Sequence, residues 1–170
     1  MAKARIFYGS STGNTQRIAE QIAEELGDLI ESVTDIAKAS PDDLASAEAL
    51  ILGVSTWEDG QLQEDWDDFF PELDGMDLSG KTVALFGLGD AYGFSGEFVN
   101  ALGTLYRKVR ERGATVVGAW PTDGYDFDDS SAVVDGRFVG LVIDEENDAD
   151  LSDERVARWA DTIRSSLAEA

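Results

Sequence analysis

Cysteine and histidine are both missing from the 170 residues. The first absence excludes disulfides, thiolate metal sites and thiol nucleophiles. The second removes the commonest general base and the commonest zinc ligand. No metal site is expected, and a redox role would have to rest on a bound cofactor. Basic residues are scarce: 13 Lys and Arg stand against 35 Asp and Glu, for a net charge of −22. A duplex nucleic-acid binder needs a basic face to neutralise phosphates, so nucleic acid is not an expected partner. The acidity admits three readings: plain solubility, a docking surface that speeds encounter with basic partners at low salt, and adaptation to a salty habitat. No apolar run approaches the ~20 residues of a membrane-spanning helix, so no membrane association is expected. Met1-Ala2-Lys3 leads straight into a strand-like run. No signal peptide is therefore expected, and the expected location is cytoplasmic.

What is present is a globular pattern. Hydrophobic residues make up 43% of the chain, enough to bury a real core in one domain spanning residues 1–170. Apolar runs at 4–8, 30–34, 49–54, 82–87 and 115–120 read as strands. Several lack alternation, as strands covered on both faces do. Between them lie helical periodicities. Ile18, Ile22 and Leu26 share one face before Gly27. Trp66, Phe69, Phe70 and Leu73 share another. Phe98, Leu102, Leu105 and Val109 mark a long helix, and Val156, Trp159, Ile163 and Leu167 the last one. Ser40-Pro41-Asp42-Asp43 is a helix start, and Ser152 is expected to cap the final helix with Leu151 and Val156 as a hydrophobic staple. Five β-α units predict an open, doubly wound α/β parallel sheet. Pro121 to Gly136 breaks the rhythm and reads as an insertion that splits the last strand, serving as cover for a sheet edge or as a partner contact.

In such sheets the ligand lies at the carboxyl ends of the strands. Three loops fall there. Gly9-Ser10-Ser11-Thr12-Gly13-Asn14-Thr15 leaves the first strand and enters a helix N-terminus, which offers free N–H groups and partial positive charge. The hydroxyls of Ser10, Ser11, Thr12 and Thr15, the amide of Asn14 and the bare backbone of Gly13 suit a phosphate. A triphosphate loop would read G-x-x-x-x-G-K-[ST], but Asn14 stands where its lysine would be. The dinucleotide pattern G-x-G-x-x-G fails here and at Gly87-Leu88-Gly89. A neutral cradle suits the single phosphate of a mononucleotide; the bland alternative is a Ser/Thr-rich helix cap. The second loop, Ser55-Thr56-Trp57-Glu58-Asp59-Gly60, sets a tryptophan after a buried strand. The third, Gly87 to Phe94, adds glycines and aromatics. Together they point to a flat ring with a phosphorylated tail.

These stretches carry a resemblance. Ser10 to Thr15 match [ST]-x-[ST]-G-x-[ST], Thr56-Trp57 with Gly60 match a flavin-stacking loop, and Gly87-Leu88-Gly89-Asp90 opens a second. Thr122 to Phe127 and Gly136 to Leu141 match an insertion and its return strand, and Asp144-Glu145-Glu146-Asn147 the acidic segment after it. The chain resembles a flavodoxin of the long-chain type over nearly its whole length. The resemblance implies a five-stranded sheet in the order 2-1-3-4-5 with helices on both faces. It also implies non-covalent FMN and a low-potential one-electron carrier rather than an enzyme. Ser10, Ser11, Thr12, Gly13, Asn14 and Thr15 would hold the phosphate, and Thr56 the ribityl or phosphate region. Trp57 would stack on the inner face of the ring. The Glu58-Asp59 peptide, next to Gly60, would sit beside N5. The backbone near Gly89, Asp90 and Glu97 would meet the pyrimidine edge, and Glu146 the ribityl chain. The family usually stacks a tyrosine on the outer face; here Phe94 holds that position and Tyr92 is two residues away, so either could serve.

A carrier needs no acid, base or nucleophile of its own. Acidic surroundings and an aromatic sandwich would disfavour the anionic hydroquinone, while the Glu58-Asp59 peptide would favour a neutral semiquinone, so shuttling between those two forms is expected. A monomer is the default expectation, and the resemblance implies docking on basic redox proteins such as ferredoxin–NADP reductase, nitrogenase reductase or photosystem I. The competing readings are an FMN-dependent quinone or NAD(P)H oxidoreductase, which needs a substrate pocket over the ring, and a phosphoacceptor signalling domain, whose acidic cluster the first strand does not supply.

Overall fold

The computed structural model describes residues 3–57 and 60–168. Strands β1 (Ala4–Tyr8), β2 (Ile30–Asp35), β3 (Ala49–Trp57) and β5 (Thr82–Leu88) run parallel in the order β2-β1-β3-β5. A short β4 (Gln61–Leu62) folds back antiparallel on the end of β3, pairing Leu62 with Thr56 and Gln61 with Trp57. The apolar stretch of β3 is buried on both faces, which is why it shows no alternation, whereas β2 is half-buried apart from the exposed Glu31, as an edge strand is.

Helices cover the sheet. α1 (Asn14–Leu26) buries Ile18, Ala19, Ile22 and Leu26 and ends at Gly27, whose φ of 57° suits glycine. α2 (Pro41–Ala45) starts with a capping box between Ser40 and Asp43. α3 (Glu64–Phe69) tightens into a 3₁₀ turn at Phe70, where Pro71 has no N–H to continue the ladder. α4 (Asn100–Glu111) packs on β3 and β5, while α5 (Ser152–Ala168) lies against α1 and presents Val156, Trp159, Ile163 and Leu167 to the core.

The fifth strand is split as expected. β6 (Thr115–Val117) pairs with Thr82–Ala84 of β5, and β10 (Leu141–Ile143) pairs with Phe86–Leu88, both parallel. The first half is shorter than the sequence indicated. At Gly118 the backbone turns left-handed (φ 86°), and Trp159 Nε1 donates to the Gly118 carbonyl at 2.7 Å. Trp120 and Pro121 therefore leave the main sheet as β7 (Trp120–Pro121). They join β8 (Val133–Val134) and β9 (Arg137–Phe138) in a three-stranded antiparallel sheet of order β7-β9-β8. Gly140 then passes so close to β5 that a Cβ would lie 2.0 Å from the Leu85 carbonyl oxygen.

Two helix starts also differ from expectation. Phe98 precedes α4, because Val99 adopts a left-handed conformation (φ 48°) just before Asn100. Its ring instead joins Tyr125, Phe127 and Phe138, with centroids 5.2–6.1 Å apart. Ser152 does not cap α5. A 3₁₀ turn at Ala149–Leu151 runs directly into the helix, the Ser152 hydroxyl donates to Glu145 Oε2 at 2.8 Å, and Leu151 is 38% exposed rather than stapled.

Candidate functional site

An open cleft with a cavity volume of about 150 Å³ lies at the carboxyl ends of β1, β3, β5 and β10, where ligands bind in sheets of this kind. Its floor at one end is the loop into α1. Gly9 anchors that loop through its N–H to the Gly53 carbonyl at 3.2 Å. No larger residue fits there, since a Cβ would come within 2.1 Å of Gln63 Oε1 and 2.7 Å of Trp66. Gln63 is itself buried: its Oε1 accepts from the N–H groups of Asp65 and Trp66, and its Nε2 donates to Ser11 Oγ at 3.1 Å. One side chain thus caps α3 and props the loop. Ser10 Oγ accepts from Gly13 N–H at 2.9 Å, and Gly13 takes a φ of 91°. Thr12, Asn14 and Thr15 face the cleft, whereas Ser10, Ser11 and Gly13 shape the loop behind it. The first turn of α1 carries no acidic side chain and no side-chain cap. Among the described residues, the N–H groups of Ser11, Thr12, Asn14 and Thr15 meet no acceptor. An anion would complete them.

The walls are aromatic. Trp57 lines the cleft at 39% exposure, its indole Nε1 held by Ser55 Oγ at 3.0 Å. Thr56 lines it too, and its Oγ1 accepts from Ala101 N–H at 3.0 Å, the cap that Val99 cannot give α4. Glu58 and Asp59 lie outside the described residues. Gly60 (φ 90°) closes against Asn100 and Glu97, so Glu97 stands behind that loop and does not reach the cleft. Across the cleft, Leu88, Gly89, Asp90 and Phe94 form the opposite wall. Of the two candidate aromatics there, Phe94 faces the cleft, while Tyr92 is 73% exposed and outside it.

Asp144 ties this wall together. Its carboxylate is fully buried, yet it accepts from Ala91 N–H (3.1 Å), Asn147 Nδ2 (2.8 Å) and the N–H groups of Glu146 and Asn147 (3.1 Å each). Asn147 Nδ2 also donates to Asp90 Oδ1 at 2.9 Å. Asp90 accepts further from Gly93 and Tyr92 N–H, and the Gly93 bond above all holds its carboxyl below the usual carboxylate range. Glu146 lies at the cleft's edge beside Glu145, whose carboxylate meets the Arg17 guanidinium.

The flavodoxin family model matches residues 6–159. The chain belongs to the flavodoxin family. A flavodoxin of Klebsiella pneumoniae is 48% identical over 168 residues, spanning 98% of this chain and 96% of that one. A flavodoxin of Nostoc sp. is 44% identical over 165 residues, spanning 97% of each. Among solved structures, Fusobacterium nucleatum flavodoxin bound to flavin mononucleotide superposes with a TM-score of 0.91 at 31% identity, spanning 98% of this chain and 99% of that one.

In this flavodoxin the insertion buttresses the cleft. Asp128 N–H donates to Ser95 Oγ at 2.7 Å, Ser131 N–H to Asn100 Oδ1 at 2.7 Å, and Phe98 N–H to the Asp129 carbonyl at 3.2 Å. Segment 128–131 therefore fixes the stretch that follows Phe94. Sequence reading missed Gln63, Arg17, Asp144 and Asn147 as organisers of the site. Each acts through a partner far away in the chain, and no local spacing announces such a pair.

Proposed function

We propose that this cleft binds FMN without a covalent bond, and that the chain carries electrons singly at low potential between protein partners. The observation that supports it most is the pairing of an uncapped, acid-free helix start, with amides that meet no acceptor, and two aromatic walls. That donor set fits one terminal phosphate, and Trp57 and Phe94 fit the two faces of a flat ring. When bound, FMN supplies the electron chemistry, taking up and releasing electrons one at a time.

The chain's part is to hold and tune. Thr12, Asn14 and Thr15 with their backbone amides take the phosphate, while Ser10, Ser11 and Gly13 set the loop's shape. Thr56 stands by the ribityl chain. Trp57 and Phe94 exclude water from the ring, which strengthens every charge effect inside. Gly89 and Asp90 offer backbone to the pyrimidine edge, and the carboxylates of Asp90, Asp144 and Glu146 oppose added negative charge there, which keeps the potential low. The Glu58-Asp59 peptide belongs beside N5 in this reading. Residues 1–170 act as one domain and as a monomer in the cytoplasm.

Partners are redox proteins with basic faces, ferredoxin–NADP reductase, nitrogenase reductase and photosystem I among them; a rim this acidic favours fast, weak, salt-sensitive encounters. The rival, a flavin oxidoreductase, needs open space over the ring, which Trp57 and Phe94 occupy. Anaerobic stepwise reduction of the purified protein tests the reading. A yellow protein that turns blue before bleaching, with no NAD(P)H oxidation of its own, is expected. A colourless protein that takes up no added FMN would end the proposal.

A further inference from the structure

Glu145 sets a carboxylate in the wall of the cleft that also holds Thr12, Asn14 and Thr15. Its side chain is only 9% exposed, so water screens it poorly. A negative charge in that position repels the phosphate which the loop's amides attract. The structure answers this repulsion with one residue. Arg17 Nη2 pairs with Glu145 Oε1, and Arg17 Nη1 donates to Asn14 Oδ1 at 3.0 Å. Ser152 Oγ holds the other Glu145 oxygen at 2.8 Å. Among the described residues, Arg17 is the one basic side chain paired with a cleft residue. It stands one helical turn beyond Gly13, whose carbonyl accepts the Arg17 N–H at 3.0 Å.

We propose that Arg17, by neutralising Glu145 at the phosphate end of the cleft, determines the preference of this protein for phosphorylated over unphosphorylated flavin. The inference rests on the FMN reading of the site. FMN and riboflavin share the ring and the ribityl chain and differ only in a phosphate that carries roughly −1.5 to −2 at pH 7. A charge effect at the phosphate end changes one affinity and leaves the other. A purely structural tether between α1 and the 144–152 segment would change both.

The test is flavin fluorescence quenching by apo-protein at low ionic strength, with FMN and riboflavin measured side by side. In R17Q, Glu145 is left uncompensated; FMN binding is expected to weaken about tenfold and riboflavin binding by less than about twofold. Adding Glu145→Gln to R17Q is expected to restore FMN binding to near the wild-type value. E145Q alone frees the Arg17 charge and is expected to tighten FMN about threefold with riboflavin unchanged, an outcome that does not depend on R17Q folding. Equal shifts for the two flavins, or an FMN-to-riboflavin ratio that stays constant in every variant, would overturn the inference while leaving the FMN reading intact. Wild-type protein that binds neither flavin would sink the FMN reading, and this inference with it.

Discussion

Replacing Asp144 by asparagine keeps the shape of the side chain and exchanges one oxygen for nitrogen, yet it should unsettle both the fold and the cleft. The wild-type carboxylate accepts four hydrogen bonds in full burial. A carboxamide keeps one acceptor and gains two donors. If its oxygen takes the Oδ1 place, the Glu146 and Asn147 amides stay satisfied, but the new NH₂ then confronts Ala91 N–H and Asn147 Nδ2. Ala91 is buried at 6% exposure, so no water replaces its partner. Orphaning that N–H costs about 1–3 kcal/mol, and the lost bonds were charge-assisted. Asn147 could rotate to offer its oxygen instead, but it would then release Asp90. Either way the cost comes to about 2–3 kcal/mol. With a urea m-value of about 1–3 kcal/mol/M, the apo-protein's midpoint should fall by roughly 1 M or more at an unchanged slope. The freed 90–94 loop carries Phe94, so FMN should also dissociate faster. A midpoint within about 0.3 M of wild type would refute the view that Asp144 is the node of this wall.

Three further outcomes are expected. Trp57→Ala and Phe94→Ala should each weaken FMN binding by about tenfold or more, while Tyr92→Ala stays within about twofold, read by flavin fluorescence; a loss at Tyr92 matching that at Phe94 would mean the loop closes differently on the ring. Tyr125 donates to the Val142 carbonyl, and burial pushes its phenol up to about 12. The raised folded value means its contribution is complete below the unfolded value of about 10 and is lost as pH rises towards 12. Ultraviolet titration should show a tyrosine step near 12, and Tyr125→Phe should remove it; a titration curve in which Tyr125→Phe leaves that step in place would contradict it. Gly140→Ala would drive a Cβ to 2.0 Å from the Leu85 carbonyl oxygen, a backbone atom that cannot swing aside, whereas Gly75→Ala meets nothing within 4 Å. Thermal melts should show the first severely destabilised and the second within about 0.5 kcal/mol of wild type; equal melting points would be incompatible with the close approach of Gly140 to β5.

The order of elements was readable because their signals are local. The unbroken apolar run Ala49–Val54 announces burial on both faces, and Ser40-Pro41-Asp42-Asp43 spells out a capped helix start. The 9–15 loop was readable because its chemistry is consecutive in the chain. The run 137–143 could be read as strand-like from its composition, but only Leu141–Ile143 join the main sheet, Arg137–Phe138 pairing instead with β7 and β8. What escaped depends on residues that meet only after folding. Gly118 does not announce that Trp159 takes its carbonyl, so the apolar run 115–120 overstates the length of the strand in the main sheet. Ser152 has the composition of a cap, but a carboxylate seven residues upstream claims its hydroxyl. Phe94 and Tyr92 are alike in composition and were separated only by the backbone between Asp90 and Gly93, which Asp90 itself shapes.

The split edge strand has a consequence for how this chain can be rebuilt. Val117 lies opposite Ala84 and Leu141 opposite Phe86, so the chain exits and re-enters the sheet about 7 Å apart. Everything between is an excursion that begins and ends at nearly one point. Its length is then uncoupled from the spacing of the main sheet. Its far turn, Asp135-Gly136, is exposed and left-handed at both residues, with φ of 55° and 80°. A guest peptide or an electrode linker grafted there would leave both half-strands in register. Trimming inward is another matter. Once a cut passes Ser131, the bonds to Ser95, Phe98 and Asn100 go, and with them the brace behind Phe94. The excursion is thus a cassette with a free outer end and a fixed inner one.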